Sequence, residues 1–254
     1  MMNEKIFSLP VTTQISHYIS QRQLDELGIV VVSYPKVRAA VALHGAQISA
    51  WQPSGDKPDY WLIANTSFKT VQAIRGGVPI CWLWFGAVEQ PSHGFIRTHP
   101  WWLTSHDEEE SGVILTFTLK DNEQTYKRWP HAFTLITRFK LDVKCEIDLE
   151  SHGDYQATAA LHTYFQISDI AQIQVAGLGN SYIDKVAGGL PVCQIGNLRF
   201  IGQTDHVYNQ PEALSLITDP ALQRTLEVHH HHMSDVIAWN PWGGIVMRLA
   251  GHAQ

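Results

Sequence analysis

The sequence predicts an all-β fold of the sandwich kind, and three observations carry that prediction. Val113–Lys120 and Phe133–Phe139 alternate apolar and polar residues with a period of two, the side-chain period of a half-buried strand. The alternation is clearest from Leu141 to Glu150, where Leu141, Val143, Cys145, Ile147 and Leu149 interleave with Asp142, Lys144, Glu146, Asp148 and Glu150. Strand-like segments recur at short spacing with turn residues between them, the pattern of a sandwich rather than of an α/β fold.

Taken in order, the elements begin with one expected helix, Ser20–Leu27. Ser20 is placed to cap it, Leu24 and Leu27 would share a face, and Gly28 would end it. Ile29–Val32 then reads as a strand, and Val37–Trp51 as strand again, interrupted at His44-Gly45. Leu141–Glu150 reads as one strand, closed by a turn at Ser151-His152-Gly153-Asp154. No internal repeat, proline-rich linker or low-complexity block divides the 254 residues, so 1–254 is read as a single domain.

Composition narrows the function classes. With 44% apolar and 17% charged residues the chain is an ordinary globular protein, neither disordered nor a coiled coil. A net charge of −6 argues against nucleic acid as a partner, since phosphate backbones are met by a surplus of lysine and arginine. Cys81, Cys145 and Cys193 are odd in number and widely spaced, with no C-x-x-C. They indicate neither a disulfide framework nor a thiolate zinc site. The start MMNEKIFSLPV does not read as a signal peptide, and no apolar run approaches the length of a membrane span. The expected location is the cytoplasm, with no membrane partner.

The densest candidate for chemistry is IRGGVPICWLWFGAVEQPSHGFIR, Ile74–Arg97. It sets Arg75, His93 and Arg97 among glycines and the rings of Trp82, Trp84 and Phe85. Arginine forks hold phosphate or carboxylate, glycines let backbone approach a ligand, and tryptophans cover the apolar faces of sugars. The plainer alternative has the tryptophans in the core, the glycines in turns and the arginines paired with surface acids. A second constellation is ALHTYF, Ala160–Phe165: on a strand, His162, Tyr164 and Gln166 would form a polar shelf bearing an imidazole suited to proton transfer. A lone strand histidine also serves as a hydrogen-bonded structural residue. Third is TDHVY, where Asp205 stands in a loop-like stretch before Tyr208. His229–His232 runs on into an apolar segment and reads as native sequence rather than a tag; alternate members on a strand would share a face, an arrangement open to a metal.

RGGVPICWLWFG, HGFIR, LHTYF, TDHVY and AWNPW, in that order, resemble the hexose-6-phosphate mutarotases, a branch of the aldose 1-epimerase superfamily. The resemblance implies a large twisted β-sandwich of the galactose-mutarotase type, with a sugar phosphate in a cleft and neither metal nor organic cofactor. It implies that α and β anomers of glucose 6-phosphate or a related aldohexose 6-phosphate exchange through the open-chain aldehyde. Residue by residue, His162 matches the general acid and His93 a second histidine that orients the sugar and helps at the ring oxygen. Asp205 matches the residue that holds sugar hydroxyls, and Arg75 and Arg97 match ligand-binding arginines, with a phosphate contact for at least one of them.

The sequence also departs from the family. The base there is a glutamate in a V-C-V-E-like strand well beyond the WNP motif, and no residue here matches it; Glu227 does not align. The C-terminal strands that would carry it are therefore expected to be missing. His206 stands where arginine is frequent, and Leu83 where proline is frequent. The competing function is a catalytically silent domain that binds sugar phosphates without exchanging their anomers.

Overall fold

Two nearly continuous apolar runs, Ile29–Val32 and Ala39–Ala42, call for a sheet covered on both faces, and they lie in one. The computed structural model describes residues 2–63 and 68–242, and all counts below refer to these. After helix α1 (Met2–Ser8), strands β1 (Val11–Gln14), β2 (Ile19–Leu24), β3 (Leu27–Tyr34), β4 (Val37–Ala42) and β5 (Gln47–Pro53) pair antiparallel in chain order. Val30, Val32, Val37, Ala39 and Val41 face one core. Ile29, Val31, Ala40 and Ala42 face another, closed by Ile6 of α1 and by Leu62, Phe68 and Ile74.

The helix expected over Ser20–Leu27 is instead a hairpin. Asp25 adopts a left-handed conformation (φ 50°) in the two-residue turn, and Leu24 pairs with Leu27 across it. The two leucines are neighbours in either reading, so their spacing did not discriminate. Pairing with the doubly buried β3 outweighs the weak helix tendency of so short a segment.

β6 (Ile80–Leu83) leads into a second antiparallel sheet, β7 (Trp102–Glu108), β8 (Val113–Lys120), β9 (Thr134–Leu141) and β10 (Cys145–His152), ordered β10-β9-β8-β7. Helix α2 (Glu123–Arg128) bridges β8 and β9, its start closed by a reciprocal capping box between Asn122 and Thr125. Val113, Leu115, Phe117 and Leu119 turn inward to the core shared with the first sheet, and the residues between them turn outward. The single strand expected over Leu141–Glu150 is the end of β9, a turn and the start of β10. The Asp142 carboxylate accepts the Lys144 N–H at 2.5 Å, and Val143 is exposed. Leu141 pairs directly with Cys145, so a three-residue turn leaves the in-out parity unchanged and the hairpin reads as one strand. β11 (Thr158–Leu161) pairs with β6, bringing the two chemistry-bearing segments of the sequence side by side.

The chain divides into two units between Gln166 and Ile167. The second unit holds two antiparallel four-stranded sheets. Its strands are β12 (Gln174–Ala176), β13 (Ser181–Asp184), β14 (Leu190–Cys193), β15 (Leu198–Arg199), β16 (Thr204–Tyr208), β17 (Leu214–Asp219), β18 (Arg224–His229) and β19 (Val236–Asn240). The sheet orders are β15-β12-β17-β18 and β14-β13-β16-β19. TDHVY, expected as a loop, is β16 and lies between two partners: the five residues alternate across the sheet, with Thr204 and Tyr208 buried. None of the described helices is long and apolar enough to cross a membrane.

Candidate active site

Within the first unit the backbone delivers His93 by a tight, glycine-dependent turn. His93 (φ 67°) and Gly94 (φ 73°) are both left-handed, and a Cβ on Gly94 would lie 1.9 Å from the Trp82 carbonyl oxygen. The left-handed conformation costs a non-glycine residue about 1–2 kcal/mol. A reciprocal pair of bonds offsets it: His93 N–H donates to the Gly86 carbonyl at 2.8 Å, and Gly86 N–H donates to His93 Nδ1 at 3.2 Å. An Nδ1 that accepts cannot carry the proton of a neutral ring, so neutral His93 is the Nε2–H tautomer and presents a donor at its free edge.

His162 lies just past β11, in a tight turn closed by Thr163 N–H donating to Leu161 O at 3.2 Å, and the cross-strand bonds go on at alternate residues. Its N–H donates to Pro79 O at 3.0 Å and that of Tyr164 to Gly77 O at 2.8 Å. The period of two therefore continues, and His162 and Tyr164 share a face with their rings stacked 4.7 Å apart at 13°. Trp61 stacks on Tyr164 at 6.1 Å, while His93 meets His162 edge-on at 5.7 Å. Phe85 packs against both imidazoles, at 4.7 Å from His93 and 6.1 Å from His162. The result is a row of rings, Trp61, Tyr164, His162 and His93.

Arg97 and Arg75 supply the charge. Arg97 donates from Nη2 to Ser92 O at 2.6 Å, and its buried Nε has no hydrogen-bond partner among the described residues. The Arg75 side chain is exposed. Neither arginine forms an ion pair among the described residues, so the alternative in which surface acids neutralise them is not what the structure shows. Burial, then the Arg97 charge and then His162 push His93 down to about 4. Burial and Arg97 lower His162 as well, and burial raises Tyr164 against the opposing pull of Arg97 and Arg75.

Both folded-state imidazoles resist protonation, so below the ordinary histidine value of about 6.5 the unfolded chain takes up protons that the folded one refuses. Stability is unaffected by them above that value and falls as pH drops through the window down to about 4. Titration by NMR is expected to place the His93 midpoint near 4; a midpoint at 6 or above would contradict the half-buried placement near Arg97.

The structure gathers four of the five predicted residues, Arg75, His93, Arg97 and His162, in this first unit. Asp205 belongs to the second unit, on β16, paired with Trp239 of β19. Its neighbour His206 points to the opposite face, stacked on Tyr182 at 3.9 Å and 3.7 Å from the Asp184 carboxylate. Trp82 follows the plainer alternative: at 1% exposure it is core, packed against Phe95, Trp129, Phe133 and Tyr155, and cannot cover a ligand. Trp84 is partly buried and donates to Pro91 O at 3.0 Å. The rings beside the imidazoles are instead Trp61, 38% exposed, which no local pattern in the sequence singles out, and Tyr164, which stands on the polar shelf without a role. In the histidine run, His229 is 3.2 Å from Glu227 and His230 bonds Ser215 Oγ at 2.9 Å. No cluster of three His, Cys, Asp or Glu suited to a metal occurs among the described residues.

The mostly antiparallel sheets are those of the mutarotase-like β proteins. Residues 29–251 match the aldose 1-epimerase family, and the chain belongs to it. It is 50% identical over 244 residues to a protein of Salmonella typhimurium provisionally named glucose-6-phosphate 1-epimerase, covering 94% of this chain and 83% of the relative. A relative from Escherichia coli K12 with the same provisional name shares the same identity and coverage. Among solved structures, that of a provisionally assigned mutarotase (YeaD) from Salmonella typhimurium superposes with a TM-score of 0.95 at 49% identity, covering 98% of this chain and 85% of that one.

Proposed function

We propose that this chain interconverts the α and β anomers of D-glucose 6-phosphate, or of a related aldohexose 6-phosphate, by acid–base opening of the hemiacetal. One observation carries the reading: two imidazoles meet at 5.7 Å near Arg97, which no carboxylate neutralises among the described residues. Such an arrangement is basic without being dense in charge, and it suits a dianion attached to a ring. The provisional names of the relatives point to the same substrate.

In this proposal His162 gives a proton to the ring oxygen as the C1–O5 bond breaks, and the anomeric hydroxyl loses its proton to a base. The aldehyde turns about C1–C2 and closes on its other face, returning both protons. His93, held as the Nε2–H donor by Gly86, orients the sugar and stabilises charge growing on the ring oxygen. Arg75 and Arg97 bind the ligand, with the phosphate on Arg75. A reducing cytoplasm accords with three free thiols, Cys81, Cys145 and Cys193.

Magnetisation exchange between the α and β C1–H signals of glucose 6-phosphate tests the reading, and exchange is expected to accelerate in proportion to protein concentration. If calorimetry shows binding while exchange stays at the buffer rate, the chain is a catalytically silent sugar-phosphate binding domain. If neither occurs, both readings fall.

A further inference from the structure

Arg75 is exposed, and yet the backbone that carries it is fixed from both sides. Gln47, at the start of β5, is 1% exposed and donates from Nε2 to Gly76 O at 2.6 Å and to Ile74 O at 3.4 Å. Those are the carbonyls immediately after and before Arg75. Both are acceptors only, so the NH2 end of the carboxamide must face them, and the amide orientation is settled by its partners. From the same corner of the sheet His44, also buried, donates from Nε2 to Gln72 O at 3.0 Å.

The other flank is held by main chain. Ile63 N–H donates to Arg75 O at 3.3 Å and Gly77 N–H to Trp61 O at 2.8 Å. Gly76 (φ 113°) passes so close that a Cβ there would lie 2.4 Å from Trp61 O. A surface arginine in a structural role needs no such anchorage. One that must capture an anion gains from it, because freedom removed beforehand is not lost on binding.

We propose that Gln47 is a positioning residue: by donating to the carbonyls on both sides of Arg75 it sets the guanidinium that selects a phosphorylated over an unphosphorylated sugar. This rests on the functional reading above. Arg97 bonds Ser92 O, next to His93, whereas Arg75 lies on the segment bonded to Trp61 and Ile63, and Trp61 stacks on Tyr164; Arg97 thus stands at the reacting end of the row of rings and Arg75 at the far end.

The test is Gln47→Met, which keeps shape and removes the donor, with Gln47→Asn, whose shorter side chain withdraws it, as the second variant should the first not fold. Steady-state anomer exchange is measured for glucose 6-phosphate and for glucose, in wild type, each variant, Arg75→Ala and the double variant. The expected result is a KM for glucose 6-phosphate raised about tenfold, the equivalent of about 1.4 kcal/mol, with kcat moved less than twofold. The preference for glucose 6-phosphate over glucose should fall by the same factor. Added to Arg75→Ala, the Gln47 substitution should cost little more, because the two act as one unit. A fall in kcat on both sugars, an unchanged preference, or additive losses in the double variant would each overturn the proposal while leaving the functional reading standing. A wild type that converts glucose but neither binds nor converts glucose 6-phosphate would overturn the reading and this proposal together.

Discussion

Replacing His162 with asparagine is expected to lower kcat for anomer exchange by about 10²–10⁴-fold, the usual contribution of a positioned proton donor. The fold should survive. The segment at His162 is held through its backbone N–H to Pro79 O, which asparagine retains, and the lost ring stack on Tyr164 is of the order of 0.5–1.5 kcal/mol. Affinity should also survive, since Arg75 and Arg97 are untouched. Burial and Arg97 lower the His162 pKa in the empty site. A bound dianion opposes the Arg97 charge and raises it again, so substrate favours the protonated acid. The alkaline limb of kcat is therefore expected at higher pH than that of kcat/KM in the wild type, with both limbs altered in His162→Asn. A variant with unchanged kcat would remove His162 from the chemistry.

Much of this site could be read from the sequence because its parts are local. His93-Gly94 is a turn that only glycine permits, and LHTYF keeps a period of two past the end of β11, so the shared face of His162 and Tyr164 follows from parity alone. The same parity misled where a turn preserved it, at Asp142–Lys144. Leu24 and Leu27 misled because a helix turn and a two-residue hairpin both bring residues three apart into contact. Burial decides such cases, and burial belongs to the sheet. Ile29–Val32 was recognised as a strand, but that it is covered on both faces and would recruit Ile19–Leu24 as a partner depends on α1 and the segment around Ile74. Nor could sequence show that Trp82 lies in the core while Trp61 stands beside Tyr164. Gln47 was invisible for the same reason, since its partners are carbonyls 27 and 29 residues away.

Arg97 separates charge from shape, and two substitutions distinguish them. Arg97→Met removes a positive charge that holds the His93 pKa down, so its midpoint should rise from about 4 yet stay below about 6.5, because burial, the larger cause, remains. The same change should weaken glucose 6-phosphate binding about 10–100-fold, the value of a charge-assisted bond at about 1.5–3 kcal/mol. Arg97→Lys keeps the charge and loses the planar fork, including the geometry of the bond to Ser92 O. It should leave the His93 midpoint close to 4 while still costing affinity. If lysine restores both properties, Arg97 works as a point charge; if methionine leaves both unchanged, the guanidinium does not face the imidazoles in solution. With His93 titrating nearer neutrality in Arg97→Met, its Nε2 proton would no longer belong to a neutral donor at mildly acidic pH, and exchange should fall off on the acid side where the wild type still works.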